Sequence, residues 1–312
     1  MYVERYLPFI GKESTPVRQR VHTEDILRFA DAIGETASAY CDVEYGKKSA
    51  YGAIIAPPTF AVTMKCNRIE GIWVAPVGRI HASQEFNYYK PIVAEREYIV
   101  KSKFKDAFEK TGKNGIMVFT VEEKTVYDLD MQPCVSFLIT IITRGSLFEE
   151  YDRMCAETTE QEAMEAAEAK AFSGVRFEDL SEGMALETVV LPAIDRVTIA
   201  KYAGASGDFN AIHLDDEAAR KVNFKSVVGH GLLSMALEST VLGKWFGQPD
   251  KYFVKNFKTK FMSPAYVGEV PTCDASVTSL DADSRTAVFT YSMKNSSGAD
   301  IINGTLTVAF SE

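Results

Sequence analysis

The stretch from residue 202 to residue 239 reads YAGASGDFNAIHLDDEAARKVNFKSVVGHGLLSMALES. Its first part places a carboxylate, Asp208, only a few positions before an imidazole, His213. A carboxylate and an imidazole that lie close together can act as an acid/base pair at neutral pH. A second histidine, His230, immediately precedes an apolar run that begins at Gly231. The stretch therefore predicts a loop with proton-transfer chemistry, followed by a buried helix.

The same scaffold occurs earlier in the chain without this chemistry. When the sequence is compared with itself at an offset of 173 residues, identical residues coincide without a gap. The identical pairs include Ile26 with Ile199, Ala30 with Ala203, Ala32 with Ala205, Gly34 with Gly207, Asp42 with Asp215, Glu44 with Glu217 and Pro91 with Pro264. In this register Glu35 stands opposite Asp208, and Tyr40 stands opposite His213. The chain is predicted to be a tandem duplication in which one copy carries the acid/base pair.

Hydrophobic periodicity predicts the same order of elements in both halves. Helices are expected at 23–33 and 195–205, and a longer apolar helix is expected to begin at Pro57 in the first half and at His230 in the second. Strands are expected at 80–90, 96–105, 115–128, 134–144, 184–191, 252–261, 269–280, 285–294 and 301–310. Residues 146–175 are rich in Ala and Glu, which indicates a linker. The predicted domains are therefore 1–145 and 176–312.

Composition excludes several classes of partner. The formal charge is −9 and the basic residues are scattered, which argues against nucleic acid or an anionic membrane surface as a partner. No apolar run approaches the 18 residues or so of a membrane-spanning helix, and the N-terminus lacks a leader pattern. The five cysteines show no CxxC spacing, which suits a reduced compartment. A cytoplasmic protein is expected.

Two motifs carry a resemblance to a known family. The residues SGDFNAIH, followed by VVGHGLL, resemble the Gly-Asp-x-Asn-x-x-His signature of the MaoC-like hydratases. This family includes the R-specific enoyl-CoA hydratases and hydroxyacyl dehydratases. Ala211 stands where the family usually has proline, and this difference leaves the polar side chains of the motif unchanged. The first half, with its IIAPPTF and QEFNYYKPIVAE segments, resembles the non-catalytic domain that is found fused ahead of MaoC domains.

The resemblance implies a fold. The family fold is the hot dog, an antiparallel sheet wrapped round a central helix, so two copies imply an α+β double hot-dog chain. Such protomers can assemble further into homo-oligomers. The clefts of a hot-dog pair lie between its two units, so the first half is expected to shape an acyl pocket, with residues 51–60 along its wall.

The resemblance also implies roles for individual residues. Asp208 and His213 would be the catalytic dyad, and the Gly231 amide would donate to the oxyanion. Asn210 and Ser239 match positions that brace the site. From their residue types, Ser206 and Gly207 are expected to be turn residues that let the loop approach the ligand closely. His230 is expected either to contact substrate or to bond to the backbone.

The implied reaction belongs to fatty acid metabolism. It is the reversible interconversion of a trans-2-enoyl thioester and an (R)-3-hydroxyacyl thioester, with the acyl group on CoA or on acyl carrier protein. No cofactor and no metal are expected.

Three other interpretations remain open from the sequence. Asp208, His213 and His230 can be written as a metal set of two histidines and one carboxylate, although no helical ligand pair preorganises it. Hot-dog thioesterases share the fold and also use carboxylates. The first half taken alone suggests a non-catalytic acyl-CoA-binding protein. A nucleotide oxidoreductase is disfavoured because Gly229 and Gly231 lack a third glycine and a βαβ context.

Overall fold

A computed structural model of the chain describes residues 2–72, 74, 79–112, 115–145, 148 and 174–311. The predicted linker at 146–175 lies almost entirely outside the described residues. The described helices are α1 (Thr23–Ile33), α2 (Ser38–Cys41), α3 (Val43–Lys48), α4 (Arg196–Ser206), α5 (Asp216–Lys221) and α6 (Gly231–Phe246). The strands are β1 (Val17–Arg20), β2 (Arg79–Tyr88), β3 (Glu97–Gly112), β4 (Gly115–Tyr127), β5 (Pro133–Arg144), β6 (Val189–Val190), β7 (Tyr252–Phe261), β8 (Thr272–Asp281), β9 (Thr286–Lys294) and β10 (Asp300–Phe310).

These strands form one antiparallel sheet in the order β1-β3-β4-β5-β2-β7-β10-β9-β8-β6. The sheet divides at the β2–β7 pair into a first-half and a second-half set, as expected for a double hot dog. Most predicted strands lie within a few residues of the observed ones. Three differences stand out. Strand β1 was not predicted, and β3 continues seven residues beyond the predicted 96–105 to Gly112. Of the predicted 184–191, only Val189–Val190 forms a strand, with an isolated bridge at Ala185.

The seam between the halves coincides with a pseudo-twofold axis. Glu85 of β2 pairs with Lys258 of β7, and these residues are separated by the same offset of 173 that aligns the two halves. In an antiparallel pair related by a twofold axis, the residue on the axis faces its own counterpart. Lys258 Nζ lies 2.7 Å from Glu85 Oε2, and the adjacent pair, Phe86 and Phe257, is fully buried. The strand register thus supports the duplication independently of the sequence comparison.

The second half is built round α6. Twelve of its sixteen residues are buried, and polar side chains are few, because the helix is packed within a core that includes the strands of the second half. Leu233, Met235 and Val241 are completely enclosed. The predicted central helix of this half is confirmed, and its methionine and leucine side chains belong to the hydrophobic core.

The first half departs from the prediction. The expected helix from Pro57 is only a 3-10 segment, Pro58–Thr63, and the described residues from 64 to 72 are not helical. A continued helix would place Arg68 where α6 buries Val241, and an unpaired guanidinium in a core is costly. Gly71 adopts a φ of 76°, which an α-helix does not allow. The polar sequence after Met64 therefore ends the helical segment after about two 3-10 turns.

A cavity of about 250 Å³ lies on the inner face of the first-half sheet. Side chains that follow the 3-10 segment line it together with side chains of β4 and β5; they are Cys66, Asn67, Arg68, Ile69, Ile72 and Val74. The predicted pocket wall at 51–60 lies N-terminal to this lining. The first half thus has an open interior where the second half has a helix.

In the described part of the chain, no helix is both long enough and apolar enough to cross a membrane.

One ionisable group is enclosed in the core of α6. Glu238 is 1% exposed, and within the described residues neither of its carboxyl oxygens has a hydrogen-bond partner. Burial raises the pKa of its carboxyl group to about 8 from 4.5, and the neighbouring Cys273 thiol only partly opposes this, so the folded protein holds this group protonated at neutral pH. Between those two values the unfolded chain releases this proton and the folded chain retains it. The contribution of Glu238 to the free energy of unfolding therefore decreases as the pH rises from 4.5 to about 8.

We expect Glu238→Met to stabilise the fold by about 1–3 kcal/mol, because it replaces an unpartnered polar group with an apolar one of similar length. The gain should be larger at pH 8 than at pH 5.5, since only the wild-type group can ionise. Urea unfolding at both pH values measures this difference. A gain that does not change with pH would show that Glu238 is not held protonated in the fold.

Candidate active site

The loop that carries the acid/base pair starts at the end of α4. Gly207 ends the helix in the left-handed conformation, with φ 73°, and its N–H donates to the Ala203 carbonyl. The Ser206 hydroxyl donates to the Tyr202 carbonyl and accepts from the Asp208 N–H. Ser206 and Gly207 are thus turn residues that direct Asp208 out of the helix.

Local hydrogen bonds then bring His213 back towards Asp208. The Asn210 N–H donates to Asp208 Oδ1 at 3.3 Å, and the Asn210 side chain accepts from the Ile212 N–H. This Asn210 cap starts a short 3-10 turn, Ala211–His213. Asp208 remains exposed, whereas His213 is 9% exposed. A solvated carboxylate therefore lies next to a buried imidazole.

The hydrogen bonds of His213 fix its tautomer. Its Nδ1 lies 2.8 Å from the Val228 carbonyl oxygen, which can only accept, so Nδ1 carries the hydrogen. The other nitrogen, Nε2, consequently has a free lone pair in the neutral ring. Burial lowers the pKa of His213 below 6.5, although Val228 and Asp208 partly oppose this effect. His213 is thus a neutral base at physiological pH.

His230 fastens the loop to the start of α6. Its Nε2–H donates to the Asp208 carbonyl at 2.9 Å, and its ring stacks on His213 with 3.8 Å between centroids. Burial, together with the neighbouring His213, lowers the pKa of His230 to about 4. In the described part of the chain, His230 Nδ1 is buried and has no hydrogen-bond partner. The predicted bond to the backbone is present.

Gly231 is the first residue of α6, and its N–H has no acceptor among the described residues. The N-terminus of a sixteen-residue helix carries partial positive charge, which favours an anionic oxygen there. A β-carbon at this position would lie 3.0 Å from the Phe261 ring. The absence of a side chain therefore keeps this amide accessible.

The same three side chains could in principle ligate a metal ion. Ligand atoms of Asp208, His213 and His230 lie within 4.8 Å of one another. However, the two imidazole rings are stacked face to face, with 3.8 Å between centroids and 29° between planes, rather than directed edge-on at one point. Metals bind the in-plane lone pair of histidine. The arrangement suits proton transfer better than chelation.

Known proteins resemble each half of the chain. Residues 8–136 match a FAS1-like dehydratase domain region, and residues 179–297 match the MaoC-like domain. The (R)-specific enoyl-CoA hydratase of Rhodospirillum rubrum is 31% identical over 132 residues, which cover 42% of this chain and 89% of that protein. The chain belongs to the MaoC-like dehydratase family.

Two further relatives of this MaoC-like chain extend over most of its length. The probable enoyl-CoA hydratase 2 of Dictyostelium discoideum is 22% identical over 267 residues, covering 83% of each chain. A solved MaoC-like dehydratase has a TM-score of 0.81 and 22% identity, covering 98% of this chain and 100% of the other. The double hot-dog arrangement is therefore shared with a known two-domain structure.

The first half of this MaoC-like protein contributes residues that the sequence analysis missed. On β2, the His81 ring lies 4.8 Å from the Phe261 ring, which in turn lies against Gly231. His81 and Arg79 both interact electrostatically with Asp208. Proximity across the β2–β7 seam is a long-range feature, and only the offset between the halves could have indicated it.

The first-half residues that stand opposite Asp208 and His213 are buried. Glu35 is 3% exposed and accepts hydrogen bonds from the Thr36 and Ala37 N–H groups. Burial raises its pKa to about 7. Tyr40, which takes the place of His213, is also buried.

Ser239 lies apart from the site. Its hydroxyl donates to Ala236 of the same helix, and it lies about 12 Å along α6 from Gly231. The predicted bracing role therefore has no hydrogen bond to support it.

Proposed function

We propose that the chain reversibly hydrates a trans-2-enoyl thioester to an (R)-3-hydroxyacyl thioester, with CoA as the carrier. Membership of the family makes the chain a hydro-lyase, and its relatives include proteins named (R)-specific enoyl-CoA hydratase and 3-hydroxybutyryl-CoA dehydratase. The observation that carries the proposal is the exposed Asp208 carboxylate within 4.8 Å of a ring nitrogen of buried His213, whose Nδ1 is bonded to the Val228 carbonyl.

The pair can hold and activate one water molecule. The Asp208 carboxylate and His213 Nε2 both accept hydrogen bonds, so a water between them can donate one hydrogen to each. As its oxygen bonds to the β-carbon of the enoyl group, the water loses a proton to the pair. The pair then returns a proton to the α-carbon, which completes the addition of water. Dehydration follows the same path in reverse.

The thioester carbonyl gains negative charge while the carbon–oxygen bond forms. The unused Gly231 N–H at the positive end of α6 can stabilise this charge. His230 supports the arrangement as a positioning residue, since its bond to the Asp208 carbonyl fixes the loop relative to the helix. The site thus contains a base, an acid and an oxyanion donor within one segment.

A direct assay tests the proposal. Purified protein is mixed with trans-2-hexenoyl-CoA, and loss of the conjugated double bond is followed by absorbance, with the product resolved by chiral chromatography. We expect the (R)-3-hydroxy ester as the product. Release of free CoA thiol without hydration would instead identify a thioesterase. Stoichiometric binding without turnover would identify a non-catalytic acyl-CoA-binding protein.

The pH dependence of the reaction should reflect His213. Because burial lowers its pKa, the neutral form persists below pH 6.5, and protonation at lower pH removes the base. We expect kcat/KM to be level through pH 6.5 and to fall only at more acidic pH. Initial rates between pH 4.5 and 8 measure this, with structural integrity checked by circular dichroism at each pH. A half-maximal point above 6.5 would contradict a buried neutral imidazole as the base.

A further inference from the structure

We propose that the cavity in the first half receives the far end of an acyl chain that carries a negatively charged group, such as a second carboxylate. This inference rests on the proposed hydratase function and adds a substrate class to it. The preferred substrate would be a trans-2-enoyl thioester with an anionic end, rather than one with a plain alkyl chain.

The first observation is the character of the inner face of β4. Alternating residues place Val118 and Val126 in the core, and the residues between them on this face, Thr120, Glu122 and Lys124, line the cavity. The corresponding inner face of β9 consists of buried Ala287, Phe289, Tyr291 and Met293. A pocket built for an alkyl chain would keep apolar side chains in these positions.

The second observation is an excess of positive charge. Arg68 and Arg79 line the cavity together with Lys124, and Glu122 is the only carboxylate in its described lining. In the part of the chain that the structure describes, none of these three cations forms an ion pair. Each of the two guanidinium groups therefore keeps its fork of N–H donors available for an anion.

The Arg79 guanidinium is partly desolvated and has both a second guanidinium and a carboxylate nearby. Surrounding protein lowers the pKa of its guanidinium group, and neighbouring Arg68 lowers it further, while Glu122 opposes these effects. Two guanidinium groups close together repel each other unless an anion lies between them. A carboxylate can accept bonds from both.

The third observation is the position of the cavity relative to the acid/base pair. Arg79 lines the cavity and also interacts electrostatically with Asp208. Two residues further along β2, His81 packs against Phe261 beside Gly231. Arg79 at the cavity is therefore about 7 Å along β2 from His81, on the strand that joins the two halves. An acyl chain whose thioester carbonyl lies at Gly231 can extend into the cavity.

The test compares esters that differ only at the far end of the chain. At six, eight and ten carbons, a trans-2-enoyl-CoA with a terminal methyl group is compared with one that carries a terminal carboxylate. We expect wild-type kcat/KM to favour the carboxylated ester by about tenfold or more at the chain length that reaches the arginines. The ratio of the two kcat/KM values is the readout, because it cancels effects on the shared chemistry.

Three variants assign the preference to the cavity. Arg68→Met should lower this ratio by about tenfold, since it removes one charged donor and retains a similar volume. Glu122→Gln should raise the ratio, because it removes the carboxylate that repels the substrate. Arg18→Met is the matched control, since Arg18 is an exposed arginine paired with Glu97 on the outside of β1 and should leave the ratio unchanged.

Each outcome is decisive. Hydration of plain esters with no preference for a carboxylate at any length would overturn this inference and leave the proposed function intact. A preference that Arg68→Met does not reduce would also overturn it, since the anion would then bind elsewhere. Failure to hydrate any ester would overturn the hydratase function and this inference with it.

Discussion

Asp208→Asn is expected to lower kcat/KM for enoyl-CoA hydration by about a thousandfold or more, without unfolding the protein. The amide preserves the shape of the side chain and can still accept the Asn210 N–H through its oxygen. It cannot accept a proton from water, so the pair loses one of its two bases. Asp208 is exposed, and the fold therefore loses little stability. Initial rates, with thermal unfolding of both proteins, measure the two effects separately.

The duplication supplies a matched control. Glu35 occupies the position of Asp208 in the first half, and Glu35→Gln makes the same chemical change there. Because Glu35 is buried, with its pKa raised to about 7, the neutral amide resembles the group that it replaces. We expect this variant to keep its activity. Comparable losses in the two variants would show that the chemistry is not confined to the second half.

The isolated second half, residues 174–312, is expected to be insoluble or unfolded, with complete loss of activity. The truncation leaves the hydrogen-bonding edge of β7 unpaired and exposes Phe257, which Phe86 normally covers. Contacts between α1 and α4, including Phe29 with Tyr202, are also lost. Each large apolar side chain that is exposed costs about 1.5–3 kcal/mol, and whole domains are stable by only about 5–15 kcal/mol.

Co-expression of residues 1–145 as a separate chain provides the control for this truncation. If the isolated second half fails because β7 has lost its pairing with β2, the two fragments should associate and recover soluble, active protein. Gel filtration and the hydration assay on the co-purified pair measure this. A monomeric second-half fragment with full activity would contradict a dependence on the first half.

The sequence predicted most of the sheet because its strands alternate clearly and are long. The expected 252–261 and 285–294 segments match Tyr252–Phe261 and Thr286–Lys294 within a residue. The central helix of the second half was equally clear, since an apolar run starts after His230 and ends at Phe246. Local pattern was sufficient for these elements because neighbouring residues determine them.

The first-half helix was mispredicted because its start resembles a true helix start. Two prolines followed by an apolar run satisfy the rules for a first turn. The deciding residues come later, where Arg68 and Gly71 do not fit a buried helix. Their effect depends on the enclosing sheet, which is formed by residues far along the chain.

The candidate site was predicted in part. The motif identified Asp208, His213 and Gly231, which the fold brings together near His230. The Val228 carbonyl that fixes the His213 tautomer belongs to the backbone, so no side-chain pattern could indicate it. His81 comes to lie against Phe261, beside Gly231, only because β2 pairs with β7 across the seam.

The Glu85–Lys258 pair on the pseudo-twofold axis has a consequence for how such a protein can evolve. Two identical hot-dog chains related by true symmetry receive every substitution twice, so losing the central helix from one would remove it from both. Joining the two units in one chain lifts that restriction. One unit could exchange its helix for an open, charged interior while the other kept the helix at whose first amide we propose that the thioester binds. Such a protein loses one of two equivalent sites, but the unit that lost its site can change independently and so alter the substrate specificity of the remaining site.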